Sequence, residues 1–172
     1  AHEIDTTDLW SGKYGTDYTH NMREAGAGDL LDVAFEHPIS LFVNALGVPP
    51  QSVIERCRDR DIAVGALTGA REHALKHAAA GVDRLVVSGT EAGGHCGEIS
   101  TMVVVPDVID AVKDYDDIHV LAAGGIATGR QMAACMAMGA AGAWCGSVWL
   151  TTAEAETTPT VKQKMLAAGP RN

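Results

Sequence analysis

The chain has 172 residues, of which 47% are hydrophobic and 20% are charged, and its formal net charge is −9 at pH 7. An acidic chain without a basic run does not fit a nucleic-acid-binding protein, and no apolar stretch reaches the roughly 20 residues that cross a bilayer. The length suffices for one domain with a buried core. We therefore expect a protein that acts on a small-molecule substrate and binds neither nucleic acid nor membrane.

The N-terminus and the cysteines bear on the cellular compartment. Residues 1–5 are neither basic nor apolar, which is not the pattern of a signal peptide. The four cysteines are widely spaced and form no C-x-x-C pair, so no metal site is expected. Three of them stand in apolar contexts and one, Cys96, stands in a glycine-rich loop. These features predict a reduced, cytoplasmic protein.

The beginning of the chain differs from the rest. Residues 1–36 are polar and rich in glycine, with no regular hydrophobic period beyond a short helix predicted at 29–35. We interpret them as a lead-in segment or an insertion. Residues 37–172 are interpreted as part of a single domain.

From Ile39 onward, short apolar runs alternate with amphipathic stretches of helical period. The predicted strands are 39–43, 62–67, 82–87, 118–123 and 141–145. The predicted helices are 51–60, 70–80, 107–115 (starting at Pro106), 129–138 and one that begins at Thr158-Pro159. Gly81 and Gly139 are expected to end two of these helices, and Thr128 is expected to cap one.

Continuously apolar strands separated by helices predict an α/β fold with a parallel sheet. Two architectures satisfy this pattern: a complete, doubly wound five-stranded sheet and a parallel (β/α)8 TIM barrel. The small-residue loops that follow every strand, and the absence of a G-x-G-x-x-G motif after the first one, favour the barrel. Because a full barrel typically needs about 250 residues, the chain would carry roughly strands four to eight, the C-terminal part of the barrel.

Two glycine segments follow the last two predicted strands. Gly124-Gly125 leads into a helix, and Gly146-Ser147 follows the final strand. Backbone N–H groups in such loops and at helix N-termini bind phosphate. Either segment alone fits an ordinary turn equally well, but their position after consecutive parallel strands predicts a phosphate site.

A single histidine, His95, lies in the glycine-rich loop that follows the third strand. The loop, residues 88–97, reads Ser-Gly-Thr-Glu-Ala-Gly-Gly-His-Cys-Gly. Glycine lets backbone approach a ligand closely, and histidine exchanges a proton near neutral pH. The pattern alone fits a tight turn with a surface histidine equally well; its place at the carboxyl end of a central strand favours a functional site.

Other polar residues are given structural interpretations. Asn44 ends the first strand and is more typical of a turn than of a ligand contact, and Arg130 is expected to face solvent. His73 and His77 have the i, i+4 spacing of a metal pair, but no third ligand is evident. The histidines predicted to lie on the surface are His2, His20, His37, His73, His77 and His119.

The motifs together resemble the nitronate monooxygenase (2-nitropropane dioxygenase-like) family of FMN-dependent TIM-barrel enzymes, which also includes flavin-dependent enoyl reductases and reductases of actinobacterial steroid breakdown. The resemblance rests on the Glu-Ala-Gly-Gly-His block at 91–95, on 121–126, on 139–142 and on Gly146-Ser147. It extends from about Ile39 to about Leu150.

The resemblance implies roles for particular residues. His95 would be the catalytic histidine, acting as a base on acidic C–H bonds or positioning the substrate. The family commonly has a glutamine that touches the flavin where this chain has Ser88. The residues implied to bind FMN are Ser88, Gly93, Gly124, Gly125, Trp144, Cys145, Gly146 and Ser147. No metal ligand is implied.

The function that the resemblance implies is FMN-dependent oxidation of nitronates or nitroalkanes with O2. An NAD(P)H-dependent enoyl or enone reductase would use the same residues and stays open. A phosphate-binding barrel enzyme without flavin is a further alternative, which would need a catalytic acid or lysine at a strand end, where Glu91 is the one candidate. A non-catalytic binding domain also remains open. Aliphatic surface on the outer helices would allow a homodimer.

Overall fold

The computed structural model describes residues 24–94 and 96–169. The chain divides into two units at the bond between Ile39 and Ser40. In the first unit, the described part holds helix α1, Glu24–Phe35. The helix predicted at 29–35 is therefore confirmed and begins earlier than expected.

The second unit contains a parallel sheet in which helices connect the strands. The strands are β1 Leu41–Asn44, β2 Ala63–Thr68, β3 Arg84–Ser88, β4 His119–Ala123 and β5 Gly142–Trp144. The helices are α2 Gln51–Arg58, α3 Arg71–Ala80, α4 Thr101–Val112, α5 Gly129–Ala137 and α6 Pro159–Ala167, with a short 3-10 helix at Ser147–Thr151. All five predicted strands are confirmed to within two residues at each end.

The strand order distinguishes the two predicted architectures. The strands are paired in chain order, β1-β2-β3-β4-β5, and every pairing is parallel. Because crossovers between parallel strands are right-handed, a constant direction of progress puts all the connecting helices on one face. A doubly wound sheet instead reverses its strand order part-way. The observed order excludes the doubly wound alternative and is that of part of a (β/α)8 barrel.

The two faces of the sheet differ in burial. Side chains that point toward the helices, such as Val64, Ala66 and Leu85, are fully buried. Successive residues of a strand point to opposite faces, and on the other face Leu67 and Trp144 are 38% and 40% exposed. The helix-covered face therefore holds the core of this unit, whereas the opposite face is partly open.

Helix α4 begins at Thr101, so the predicted start at Pro106 is wrong. Pro106 lies inside the helix, where a proline is normally costly because it has no N–H for the carbonyl group four residues earlier. Two features offset this cost. Val105 and Val108 are fully buried on either side of Pro106, and the Thr101 N–H donates a hydrogen bond of 2.9 Å to the Glu91 carboxylate.

The other predicted helix ends are confirmed. Gly81, directly after α3, and Gly139, two residues after the end of α5, adopt the left-handed conformation, with φ of +86° and +98°. Thr128 caps α5. Helix α6 begins at the predicted Thr158-Pro159 and holds no buried residue; its Leu166 is 71% exposed. None of the described helices combines the length and the apolar character needed to cross a membrane.

The histidines divide between surface and core. His37, His73 and His119 are exposed, as predicted, whereas His2 and His20 lie outside the described residues. The surface prediction for His77 is wrong, because only 3% of this residue is exposed. It lies in the last turn of α3, on the side that also buries Ala74 and Ala78. Small alanines on that side let the helix approach the sheet closely and enclose the ring.

Candidate functional site

A cavity of about 350 Å³ opens at the carboxyl ends of β2 to β5. This volume lies in the range typical of small-molecule sites, about 300–1,000 Å³. Strand ends and the loops that follow them form its wall. The lining residues are Leu67, Val86, Ser88, Glu91, Ala92, Gly93, Ala123, Gly124, Gly125, Ile126, Ala127, Trp144, Gly146, Ser147 and Val148.

Most of the residues predicted to bind a cofactor lie together in this wall. They are Ser88, Gly93, Gly124, Gly125, Trp144, Gly146 and Ser147. Cys145 does not line the cavity, because it follows Trp144 in the chain and its side chain points to the opposite side. It lies near Cys135, whose thiol pKa is raised by burial and, to a lesser extent, by Cys145. His95 lies outside the described residues.

The turn after β4 requires glycine at two consecutive positions. Gly124 and Gly125 have φ of +99° and +69°, a conformation that residues with a Cβ atom rarely adopt. Space is limiting as well. A Cβ atom on Gly124 would lie 3.0 Å from the Ala92 nitrogen, and one on Gly125 would lie 3.1 Å from the Cβ atom of Glu91. The loop after β3 therefore lies directly against the glycine turn.

Gln131 organises the segment between the glycine turn and α5. Its Oε1 accepts hydrogen bonds of 3.0 Å from the N–H groups of Ala127 and Thr128, and its Nε2 donates one of 2.6 Å to the carbonyl oxygen of Gly125. With Thr128 it forms a capping box at the start of α5. The backbone of this segment is thereby fixed by a single side chain.

Several backbone N–H groups at the cavity have no hydrogen-bond partner among the residues that the structure describes. Those of Gly125 and Ile126 donate to no group among the described residues, and the same is true of Ser147 and Val148 at the start of the 3-10 helix. Unpaired N–H groups from two neighbouring loops form an anion-binding concavity. The arrangement is suited to a phosphate group.

The loop between β3 and α4 is closed at its base. The Thr90 N–H donates to the carbonyl oxygen of Ile99 at 3.0 Å. Glu91 Oε2 accepts hydrogen bonds from the Thr101 N–H (2.9 Å) and from Thr101 Oγ1 (2.8 Å). A Cβ atom on Gly89 would lie only 2.7 Å from the Ile99 oxygen. Both ends of the loop that contains position 95 are thus fixed to each other.

The hydrogen-bond donors around Glu91 favour its ionised form. The hydrogen bond from the Thr101 N–H is the largest of the effects that lower the pKa of the Glu91 carboxyl group, and hydroxyl donors act in the same direction. An ionised carboxylate accepts hydrogen bonds and has no proton to donate. The same hydrogen bonds link the Glu91 carboxylate to the first residue of α4.

Several lining residues were not predicted from the sequence. The apolar part of the wall comes from Leu67, Val86, Ile126 and Val148. In a continuously apolar strand, the sequence does not reveal which residues face the cavity. Residues two apart in a strand point to the same face, so the prediction that Ser88 lies in the site could have been extended to Val86. Asn44 does not line the cavity; its amide donates to backbone oxygens of its own turn at 2.9 Å.

Comparison with protein families places the chain among known sequences. A family model described as "Nitronate monooxygenase" matches residues 3–171. A provisionally named monooxygenase of Mycobacterium tuberculosis is 61% identical over 143 residues, which are 83% of this chain and 37% of that protein. A dehydrogenase of the same organism, named for an octahydro-indene-carboxyl-CoA substrate, is 38% identical over 84% of this chain and 40% of its own length.

Solved structures show the same relationship. FabK from Thermotoga maritima superimposes with a TM-score of 0.74 at 33% identity, covering 83% of this chain and 44% of that one. A nitroalkane oxidase from Streptomyces ansochromogenes superimposes with a TM-score of 0.76 at 27% identity, covering 99% of this chain and 53% of that one. The chain thus spans about two fifths of these curated relatives and about half of these structures.

Proposed function

The chain belongs to the nitronate monooxygenase family, and we propose that its protein is an FMN-dependent oxidoreductase that oxidises nitronates or nitroalkanes with O2. The observation that carries this proposal is the set of four unpaired N–H groups on the cavity wall, at Gly125, Ile126, Ser147 and Val148. The resemblance to a structurally characterised nitroalkane oxidase supports the same substrate class.

The residues of the cavity fit FMN. The four unpaired N–H groups would hold its phosphate, and the hydroxyl group of Ser147 would add a fifth donor. Leu67, Val86 and Trp144 provide apolar wall for an uncharged ring. The one carboxylate in the wall, Glu91, already accepts hydrogen bonds from Thr101, which reduces its repulsion of a phosphate group.

In the proposed reaction the protein supplies binding, orientation and proton transfer. FMN, when bound, accepts the electrons of the substrate. His95 would remove the α-proton of a neutral nitroalkane, a role that suits a side chain with an ordinary pKa near 6.5. A nitronate has already lost that proton and needs no base. Turnover of the two substrates should therefore depend differently on His95.

A second candidate is an FMN-dependent NAD(P)H enoyl or enone reductase. It is favoured by the relative whose name describes a dehydrogenase with a carboxyl-CoA substrate. The same amides and the same apolar wall would serve this reaction. The electron donor distinguishes the two, since the reductase takes electrons from a nicotinamide and the oxidase takes them from the nitronate.

A phosphate-binding barrel enzyme without flavin is the weaker alternative. It would need a catalytic acid at a strand end, and Glu91 was the one candidate in the sequence. Its carboxylate is held by Thr101, which lowers its pKa. A carboxyl group whose ionised form is favoured in this way is a poor proton donor.

The experiment that tests the cofactor is a visible absorption spectrum of the protein at its full encoded length, before and after addition of FMN. Flavin bands that stay with the protein through gel filtration are expected. Anaerobic mixing with a nitronate or with NADH then shows which one bleaches them. A protein that remains colourless after addition of FMN would contradict the proposal.

The experiment that tests the base is the substitution His95→Gln, with His73→Gln as the control because His73 is exposed on α3. We expect His95→Gln to slow turnover of a neutral nitroalkane by about a hundredfold and to affect turnover of the pre-formed nitronate much less. If the variant turned over the neutral nitroalkane as fast as the parent protein does, His95 would not be the base.

A further inference from the structure

The contact between Glu91 and Thr101 joins the two ends of the loop after β3 and lies beside the end of β4. Glu91 comes from the loop after β3, and Thr101 is the first residue of α4. Thr101 is buried, and its Oγ1 lies 2.8 Å from the Glu91 carboxylate and 3.4 Å from the carbonyl oxygen of Ala123, the last residue of β4. The contact thus joins the β3 loop to the point where the glycine turn begins.

Glu91 and the two residues after it lie close to the two loops that carry the unpaired N–H groups. Glu91 itself packs beside Gly125, where an added Cβ atom would meet its Cβ atom at 3.1 Å. The Ala92 nitrogen would lie 3.0 Å from a Cβ atom on Gly124. A Cβ atom on Gly93 would lie 2.9 Å from Ser147 Oγ. Three successive residues therefore contact both halves of the candidate phosphate site.

We propose that Glu91 is a positioning residue, whose carboxylate, held by Thr101, sets residues 91–93 against the glycine turn and Ser147. The proposal rests on the function proposed above, because the geometry it fixes is that between the histidine loop and the FMN site. Glu91 also lines the cavity, but this role depends on its hydrogen bonds to Thr101. It acts through the backbone on either side of it.

The charge of Glu91 is essential to this role. A hydroxyl group has one hydrogen to donate, and Thr101 Oγ1 directs it to the nearer oxygen, that of the carboxylate. Hydrogen bonds to ionised acceptors are about twice as strong as neutral ones. A glutamine at position 91 would keep the shape and one acceptor oxygen but lose the charge, so its contact with Thr101 would be weaker.

The test compares Glu91→Gln with Glu98→Gln in the protein at its full encoded length. Glu98 lies in the same loop, is exposed and forms no hydrogen bond among the described residues, so the control removes the same charge without the contact. The first measurement is amide hydrogen exchange of the peptide covering residues 89–101. We expect exchange about tenfold faster in Glu91→Gln and unchanged in Glu98→Gln. Unchanged exchange in Glu91→Gln would overturn the proposal.

The second measurement separates positioning from a merely structural role. Turnover of a neutral nitroalkane requires the proton transfer assigned to His95, whereas turnover of a nitronate does not. We expect Glu91→Gln to lower kcat for the nitroalkane about tenfold more than kcat for the nitronate, as expected for a loop that holds the base less firmly. Equal losses with both substrates would show that Glu91 only stabilises the fold, and would overturn the positioning role.

Thr101 provides a second pair of variants if Glu91→Gln does not fold. Thr101→Val removes the hydroxyl group and keeps the shape, so it should reproduce the faster exchange; Thr101→Ser keeps the hydroxyl group and should restore slow exchange. Identical exchange in the two variants would overturn the proposal. A parent protein that binds no FMN would instead contradict the proposed function, while the exchange comparison would still decide whether Glu91 fixes the loop.

Discussion

Gly93 and Ser147 approach each other so closely that a Cβ atom on Gly93 would lie 2.9 Å from the Ser147 hydroxyl oxygen. The two residues belong to loops that follow β3 and β5, strands that β4 separates. The loop after β3 therefore crosses the end of β4 and reaches the far side of the cavity. This contact brings the histidine-containing loop to the Ser147 side of the candidate phosphate site.

We predict that Gly93→Ala weakens FMN binding while the fold remains stable. The added methyl group meets only the end of a side chain, which can rotate away, so the hydroxyl group of Ser147 should leave its place in the site. Loss of one hydrogen bond corresponds to about a three- to tenfold rise in the Kd for FMN, measurable by flavin fluorescence. The double variant Gly93→Ala/Ser147→Ala should bind no more weakly than Gly93→Ala alone; a further tenfold loss would contradict this explanation.

Gly89→Ala should instead destabilise the fold. A Cβ atom there would meet backbone on the other side of the loop base, 2.6 Å from the Ser100 carbonyl carbon and 2.7 Å from the Ile99 oxygen. Backbone cannot rotate away as Ser147 Oγ can, so we expect a loss of about 3 kcal/mol in the free energy of unfolding. Gly69→Ala is the control, since its nearest contact is 3.6 Å. Urea denaturation measures both, and similar midpoints would contradict the close approach.

Gln131→Glu should separate the two functions of Gln131. A glutamate can still accept from the N–H groups of Ala127 and Thr128, so the cap of α5 should persist. It cannot donate to the Gly125 oxygen, which Nε2 now contacts at 2.6 Å, and its charge would repel a phosphate group nearby. We expect the melting temperature to change little and the Kd for FMN to rise about tenfold or more. A variant that binds FMN normally would show that the Gly125 contact does not shape the site.

His77 should make the stability depend on pH in the mildly acidic range. Burial is the main cause that lowers the pKa of the His77 imidazole, and a hydrogen bond with the backbone of Leu67 only partly opposes it. The unfolded chain therefore binds a proton more readily than the folded one as the pH falls below about 6.5. The free energy of unfolding should decrease as the pH falls through this range, and the contribution of His77 is fully present above it.

The substitution His77→Gln should remove this part of the pH dependence, because glutamine does not titrate. His73→Gln, one turn earlier on the exposed side of α3, should leave it in place. Urea unfolding at pH 7.5 and at pH 5.5 measures the difference for each variant. If both variants kept the same pH dependence as the parent, His77 would not be its source.

The order of strands and helices could be predicted from the sequence because each element carries its own local signal. Which strand residues face the helices and which face the opposite side of the sheet could not be predicted. Ala66 is fully buried whereas the larger Leu67 is 38% exposed, the reverse of what side-chain size alone favours. A strand with apolar residues on both sides has no alternation to show which face meets the helices.

Errors in the sequence prediction arose where distant residues decide the local structure. Helix α4 begins five residues before Pro106 because Glu91, ten positions earlier than Thr101, accepts its N–H. His77 is buried because of what α3 packs against, which its neighbours in the chain do not reveal. The glycine loops could be assigned to one site, since parallel strands bring their carboxyl ends to the same edge, but the Glu91–Thr101 contact could be found only from coordinates.

The unpaired N–H groups at the cavity have a consequence for how such a site tolerates genetic change. Every amino acid except proline offers the same N–H group, so exchange of Ile126 or Val148 for another residue would keep an N–H group at the same place in the cavity wall. A contact made by a side chain, such as that of Ser88 or Trp144, is instead lost when the residue is replaced. A cofactor site of the kind proposed can therefore be kept while the residues that set the reaction change, which offers a reason why relatives named as a monooxygenase and as a dehydrogenase both match this chain.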